Sequence, residues 1–268
     1  MTYEAERIAA FFDAYGEQEW TRFEDGRTPS TSLEVHREYL RRFVRAGDRV
    51  LDIGAGPGRF TLELARLGAD VVVADLSPGQ LELNRNRLVD AGLEDRIVDR
   101  VVADVTELSG FDEDAFDAVV CFGGPVSYAY ERSEDAVSEL VRVTRPAGHV
   151  LLSVMSLVGA LIRYHGLALD LVRRDGPDQL EQTVRDGILP EGEGYGHLAM
   201  RMFRWSELEA LLSRHGTVVA ATAAGLFAAE PPEPELRDLM ARVEIELGAE
   251  AGAISSGEHI LAVLRKER

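Results

Sequence analysis

Five short apolar runs, each followed by a polar segment with helical patterning, constrain this chain more than any other feature. They are "RVLDIGA" from Arg49, "DVVVAD" (70–75), "IVDRVVAD" (97–104), "FDAVVCF" (116–122) and "GHVLLSVMS" (148–156). Short runs rich in β-branched residues read as strands buried on both faces. The segments between them carry helix signals. Residues 58–67 are amphipathic and stop at Gly68, and "SPGQLELNRNRLVDAG" opens with Ser77 as N-cap and Pro78 at N1 and stops at Gly92. A further helix is expected from about Ser133 to Thr144. Strands alternating with helices predict a parallel sheet, and right-handed crossovers bring the strand carboxyl ends to one edge. Ligands of such sheets bind along that edge.

The flanks are patterned differently. Ile8, Ala9, Phe11, Phe12 and Tyr15 recur at helical spacing over about 3–15, and a second helix is expected from Ser32, read as its N-cap. The polar loop between them holds Trp20 and Phe23 and reads as a lid. After 156 the alternation pauses. Residues 157–204 are too long for a plain connector and read as a cap of one or two helices plus an extended piece, "HLAMRMF". Ser206 is expected to cap the next helix. Two late strands, "TVVAATAA" (217–224) and "HILAVLRK" (259–266), flank a helix in "PPEPELRDLMARVEIELG". The expected organisation is an N-terminal helical lid (1–45), a cofactor-binding core (46–156), a cap insert (157–204) and completion of the core sheet (205–268).

Composition narrows the partners. A net charge of −18 repels phosphate backbones and argues against nucleic acid as a partner. No stretch is long and apolar enough to read as a membrane span, and "MTYEAERIAAFFDAYGEQEW" lacks a signal-peptide layout. The single cysteine, Cys121, excludes an intrachain disulfide framework, and with scattered histidines no metal site is expected. The expectation is a cytoplasmic monomer or homodimer acting on a small molecule.

Chemistry concentrates at the strand ends. "VLDIGAGPGRF" carries glycines at 54, 56 and 58 in a G-x-G-x-G spacing, after Asp52 near the end of the first strand. Asp75 ends the second strand, where a carboxylate can accept hydrogen bonds from a ribose diol. Dinucleotide-binding and adenosyl-binding proteins share this pair, so it does not separate them. Asp104, followed by Val105, ends the third strand, where a carboxylate can accept from the exocyclic amine of adenine while its neighbour packs on the ring. That set favours an adenosyl group over a dinucleotide.

At these residues the chain resembles the class I S-adenosylmethionine-dependent methyltransferases of the small-molecule type. "VLDIGAGPGRF", "VVVADLSPGQL", "VVADVTEL", "FDAVVCFGGP" and "LVRVTRPAGHVLLSV" look like the family's motifs in order, over about 46–156. The resemblance implies an α/β, Rossmann-like sheet of seven strands in the order 3-2-1-4-5-7-6, strand seven antiparallel, with helices on both faces. It implies that Gly54, Ala55, Gly56 and Gly58 lie along the methionine part of S-adenosyl-L-methionine. Asp75 would bind the ribose, Leu76 would flank the adenine, and Asp104 and Val105 would hold it. Cys121 and Phe122 would lie near the sulfonium, and Asp52 would orient the cofactor's amino group through water. The product would be S-adenosyl-L-homocysteine.

The methyl acceptor would enter beneath the lid and cap. Tyr128, directly after "CFGGPVS", is the sequence candidate nearest the methyl group, and His197 in "EGEGYGH" is a second candidate base. Tyr15, Trp20 and Tyr195 are candidate substrate and lid residues, with Tyr15 and Trp20 able to close over a sulfonium by cation–π contact. His36 and His165 complete the candidates. "FGGP" stands where enzymes that methylate nucleobases or glutamine carry an "NPPY"-like tetrapeptide, which favours a small acceptor. The competing readings are an NAD-dependent oxidoreductase and a non-catalytic adenosyl-binding regulator.

Overall fold

The computed structural model describes residues 2–24, 30–191, 198–227, 229 and 232–267. Three helices, α1 (Ala5–Tyr15), α2 (Gln18–Thr21) and α3 (Ser30–Phe43), lead into the alternating region. It comprises β1 (Arg49–Ile53), α4 (Arg59–Arg66), β2 (Asp70–Asp75), α5 (Pro78–Asp90), β3 (Ile97–Val102), β4 (Phe116–Cys121), α6 (Pro125–Tyr128), α7 (Ser133–Val143) and β5 (Thr144–Met155). Next come α8 (Leu157–Arg163), α9 (His165–Asp175), α10 (Pro177–Asp186), β6 (Ile188–Leu189) and β7 (Met200–Arg201). The described chain closes with α11 (Trp205–Leu212), β8 (Thr217–Ala224), α12 (Pro234–Gly248) and β9 (His259–Arg265).

Seven strands form one sheet in the order β3-β2-β1-β4-β5-β9-β8. The first five are parallel, and β9 runs antiparallel to both β5 and β8. Numbered within this sheet alone, that is the expected 3-2-1-4-5-7-6 order. β6 and β7 form a separate antiparallel pair.

The two-residue period of the strands divides the core in two. Leu51, Ile53, Val72, Ala74, Val119 and Cys121 point to the face carrying α7 and α11, where they meet Leu140 and Leu208. Val50, Val71, Val73, Ala118 and Val120 point the other way, to Leu40 of α3 and Leu64 of α4. Each buried Val or Leu contributes roughly 1.5–3 kcal/mol relative to exposure, so both faces need helical cover. That need explains the runs of uninterrupted apolar sequence.

Three local expectations are corrected. Ser32 is not a cap: α3 is already formed from Ser30, Ser32 is buried, and its carbonyl accepts from His36 Nδ1 at 2.7 Å. Ser206 lies inside α11, which starts at Trp205 because Glu207 Oε2 accepts from the Arg204 N–H at 3.3 Å. The cap region holds three helices rather than one or two, since Gly176–Pro177 breaks α9 from α10. Ser77 caps α5 as expected, its hydroxyl accepting from Gln80 N at 3.0 Å.

Candidate active site

A cavity of about 470 Å³ opens at the carboxyl edge of the sheet. One end is built by the turns after β1, β2 and β3. The chain leaves β1 through Gly54 (φ +69°) and Gly56 (φ +53°), a backbone that side chains other than glycine adopt poorly. Gly54 N and Ala55 N both donate to the Ala74 carbonyl, at 2.8 and 3.1 Å, which ties this turn to β2.

The three glycines serve different ends. A Cβ at Gly54 would overlap Pro125 of α6. At Gly58, where α4 begins, it would press on Asn84 and Leu88 of α5 at 3.1–3.3 Å, and Gly58 does not line the cavity. At Gly56 it would meet only Glu19 Cγ at 3.7 Å and Gln80 Oε1 at 4.0 Å. Gly56 is therefore the glycine that keeps cavity space open, while Gly54 and Gly58 let protein pack on protein. For Gly58 this corrects the expected role along the methionine.

Asp75 lies at the cavity wall. Its Oδ2 accepts from Gly56 N and its Oδ1 from Ser77 N, both at 2.8 Å. Burial pushes its carboxyl up to about 6, partly offset by these two donors. Each carboxylate oxygen keeps further lone-pair capacity for a diol. Leu76, Ala103 and Val105 supply apolar wall beside it. Gln80 Oε1 and Arg59 Nε, in residues lining the same end, are buried without a hydrogen-bond partner. Orphaned buried polar atoms of this kind cost stability, and a bound polar ligand would satisfy them.

Helix α1 closes this end from above. Asp13 Oδ1 accepts from Ser77 Oγ at 2.5 Å and from Gly79 N at 2.8 Å. The Gln80 side-chain amide donates to the carbonyls of Phe12 and Gly16, at 2.9 and 3.1 Å. Tyr3 O–H donates to Asp104 Oδ1 at 2.7 Å, and Thr106 donates to the same oxygen through N and Oγ1. Asp104 is thus anchored beside the cavity wall rather than lining it.

Asp52 and Cys121 lie deeper than the resemblance implied. Asp52 accepts from Thr61 Oγ1 at 2.6 Å beneath the turn, and its burial pushes its carboxyl up to about 7. Cys121 is fully buried in the core, and burial raises its thiol, so it is an inert apolar neighbour rather than a wall beside a sulfonium. Its neighbour Phe122 does line the cavity.

The other end is walled by α1, α6, the cap and the start of β9. Phe12 meets Tyr128 edge-on at 5.5 Å, and Tyr15 stacks on Phe11 at 5.6 Å. Leu171, Leu180, Leu189, Met200 and Met202 extend the wall through the cap. Burial, with Glu19 nearby, raises the Tyr128 phenol. It stays protonated at neutral pH and can donate a hydrogen bond, but is a poor base.

Trp20 corrects a further expectation. Its ring is sandwiched between Arg59 at 3.5 Å and Arg87 at 4.2 Å, and its indole N–H donates to Glu24. It does not line the cavity; its cation–π partners are arginines of the protein. His36 is also structural. Its Nδ1–H donates to Ser32 O, so Nε2 accepts from the Ser153 hydroxyl, which in turn accepts from Gly123 N at 2.9 Å. Burial pushes the imidazole down to about 3. His165 is exposed and off the cavity. Tyr195 and His197 lie outside the described residues.

Among the polar residues on the cavity that sequence reasoning missed are Glu19, Arg22, Glu258 and His259. Arg22 Nε stands 2.7 Å from Glu19 Oε1 as an ion pair, with the N–H off the axis of a hydrogen bond. Glu258 Oε1 accepts from the Tyr164 hydroxyl at 2.7 Å, and its Oε2 lies 3.4 Å from Arg163 Nε. His259 is the first residue of β9. Because β9 is antiparallel, its first residue rather than its last reaches the carboxyl edge, opposite Met155 of β5. That reversal was the available signal.

Comparison with known proteins agrees with this geometry. A family profile described as "Methyltransferase domain" matches residues 51–152. A demethylmenaquinone methyltransferase of Clavibacter sepedonicus is 44% identical over 172 residues, covering 63% of this chain and 63% of that one. Another, from Mycobacterium marinum, is 33% identical over 191 residues, covering 66% of this chain and 73% of its own length. The chain thus spans under two thirds of the first relative. The solved structure of Burkholderia thailandensis 1,6-didemethyltoxoflavin-N1-methyltransferase, with bound S-adenosylhomocysteine, superposes with a TM-score of 0.56 at 18% identity, covering 99% of this chain and 91% of that one. The chain belongs to the class I S-adenosylmethionine-dependent methyltransferases.

S-adenosyl-L-methionine is the family's cofactor, and the residues here fit it. Asp75 offers a diol acceptor, Leu76 and Val105 offer flat apolar flanks, and the orphaned Gln80 Oε1 offers an acceptor beside Gly56. Membership displaces the oxidoreductase reading. Among the described residues no group of histidine, cysteine and carboxylate side chains could hold a metal, and no helix is long and apolar enough to cross a membrane.

Proposed function

We propose that the chain methylates a small, flat, apolar ring compound, with a reduced quinone as the first acceptor to test. The supporting observation is continuity: the end of the cavity holding Gly56 and Asp75 runs without a break into a wall of Leu, Met and aromatic side chains. An apolar wall recognises a ring or prenyl chain by burying it. The names of the curated relatives point to quinones, which match that chemistry.

S-adenosylmethionine, held by Gly54, Ala55, Gly56, Asp75, Leu76 and Val105, supplies a methyl group already activated on a sulfonium. The protein's remaining work is positioning and exclusion of water. Phe12 and Tyr128 meet edge-on in the cavity wall, and Tyr128 holds its proton and donates to an acceptor oxygen. The closed α1 shields the cofactor from water. The active form is proposed to be a monomer or homodimer in the cytoplasm.

The test is incubation with radiolabelled S-adenosylmethionine and a panel containing a short-chain prenyl naphthoquinol, a catechol and a transfer RNA. Labelled quinol, identified by mass spectrometry, is the expected product. Label in the catechol or the RNA alone would overturn the reading. Cofactor binding with no labelled product across a broad panel would instead favour a regulatory adenosyl-binding protein.

A further inference from the structure

We propose that Glu258 is the proton acceptor of the transfer, its Oε2 taking the hydroxyl proton of the methyl acceptor, an assignment that rests on the reading of the cavity as an acceptor site. Glu258 lines the cavity and is 5% exposed, and its Oε2 is buried without a hydrogen-bond partner. Buried polar atoms are almost always paired, and a carboxylate oxygen makes the stronger kind of hydrogen bond. A ligand that brings a donor to Oε2 is therefore favoured there.

The donors around this oxygen are committed elsewhere. Arg163 Nε lies 3.4 Å from Oε2, but its N–H donates to the Tyr164 hydroxyl at 3.2 Å. That hydroxyl in turn donates to Oε1 at 2.7 Å. Burial first, and then the Glu258 charge, raise the Tyr164 phenol, so it keeps the proton it donates. Arg163 Nη1 donates to the Phe227 carbonyl at 3.1 Å. A Cβ on Gly225 would stand 3.5 Å from Oε2, yet the Gly225 N–H goes to Glu244 Oε1 at 2.6 Å. The Arg163 charge makes a buried carboxylate tolerable, and this geometry leaves one of its oxygens for a ligand.

The backbone holds Glu258 at the carboxyl edge of the sheet. Its carbonyl accepts from Ser156 N at 2.9 Å, just past β5, and its N–H donates to the Gly225 carbonyl at 3.2 Å, just past β8. Tyr164 reaches it from the cap. The cavity's carboxylates Asp75 and Glu19 lie instead at Gly56. Asp75 Oδ2 accepts from the Gly56 N–H, and Glu19 Cγ stands 3.7 Å from where a Gly56 Cβ would be. The charged and titratable groups facing Glu258 are Arg163, Tyr164, Arg22 and His259. Of the alternative bases, Tyr128 holds its proton, and burial pushes the His259 imidazole down. Neither is suited to take a proton at neutral pH.

The step is a proton transfer. The acceptor's O–H bond breaks, and its proton forms a new O–H bond at Glu258 Oε2. The electron pair stays on the acceptor oxygen, which becomes the stronger nucleophile. Glu258 is left neutral and gives the proton to solvent when product is exchanged. The site therefore selects a quinol, phenol or enol over the corresponding ether.

The probe is 2-naphthol, added to the full chain saturated with S-adenosylhomocysteine and excited beyond the absorption of tryptophan and tyrosine. Its excited state is a far stronger acid than its ground state, so a hydroxyl held by a carboxylate passes its proton over and the anion emits. Naphtholate emission that grows with bound probe is expected for the wild type. Glu258→Gln keeps an oxygen for Tyr164 but takes no proton, so it should bind the probe and emit from the neutral form. 2-Methoxynaphthalene has no proton to give and should bind the wild type about tenfold more weakly than 2-naphthol. S-adenosylhomocysteine affinity, read by calorimetry, should change by less than about threefold in Glu258→Gln, because the glycine turn is untouched.

Naphtholate emission that persists in Glu258→Gln would place the proton elsewhere and overturn the assignment. A wild type that emits only from the neutral form, or that binds the ether as tightly as the naphthol, would overturn it equally. These last two readouts need only the wild type, so they decide the matter even where the variant does not fold. Product formation from the quinol is a separate readout, so the role of Glu258 and the broader function fail independently.

Discussion

The two ends of the cavity are built on different principles. The cofactor end is main chain held at strand ends: Gly54 and Ala55 hang from the Ala74 carbonyl, and Asp75 is clamped by Gly56 N and Ser77 N. The acceptor end is side chain, gathered from α1, the residues after α2, α6, the cap and β9. Main-chain geometry leaves a fixed spacing in sequence, because glycines and acids must recur at set offsets from a strand. A side-chain wall needs only volume and polarity, which many segments can supply. On the proposed reading the first end takes the shared cofactor, and the second is free to select an individual acceptor.

The contrast can be broken most sharply at Asp75. Asp75→Ala removes the partner of two backbone N–H groups and, on the proposed reading, of the ribose, a loss of about 1.5–3 kcal/mol for a charged acceptor. S-adenosylhomocysteine affinity should fall by roughly 10- to 150-fold in calorimetry, and an unchanged affinity would detach Asp75 from the cofactor. Next is Gly54→Ala, which drives a methyl into Pro125 at a positive φ. It should destabilise the fold by about 1–3 kcal/mol in chemical denaturation. A stable Gly54→Ala would mean that the two ends are not braced against each other there.

Asp52 gives a pH test. Burial raises its carboxyl from 3.8 to about 7, so between those values the folded chain keeps a proton that the unfolded chain has lost. Stability then falls as pH rises across that window. Asp52→Asn should raise the melting temperature at about pH 8, by about 1 kcal/mol of stability or more, and give no gain below about pH 4. A gain at low pH would mean that Asp52 is ionised where it lies.

The smallest effect tests the acceptor end. Met202→Ala should leave S-adenosylhomocysteine binding unchanged and raise KM for a prenyl quinol several-fold, through roughly 1 kcal/mol of lost apolar contact. A matching loss of cofactor affinity would show that the two ends are not separable.

The same contrast decides what could be read in the sequence. The strands and the turn residues were legible because strand periodicity and glycine conformation act locally, whereas the strand order came from the family resemblance. Ser32 and Ser206 misled because each is one of several polar residues near a helix start, and the tertiary burial of Ser32 and the Arg204–Glu207 pairing decided the boundary. Trp20 was assigned to a cofactor lid because an aromatic ring suits any cation, and Arg59 and Arg87 occupy it. Arg22 sits in polar sequence that reads as loop. His259 was hidden by strand direction: a residue that opens a strand points away from the ligand edge in every strand of this sheet except an antiparallel one.

One clasp carries a kinetic consequence. Asp13 and Gln80 fasten α1 across the cofactor end through short polar links to Ser77, Gly79, Phe12 and Gly16. In the proposed cofactor position, spent cofactor lies behind that clasp. On that reading α1 unfastens when the cofactor is exchanged, and the clasp acts as an escapement. Asp13→Ala is then expected to speed release of S-adenosylhomocysteine, read by stopped-flow displacement.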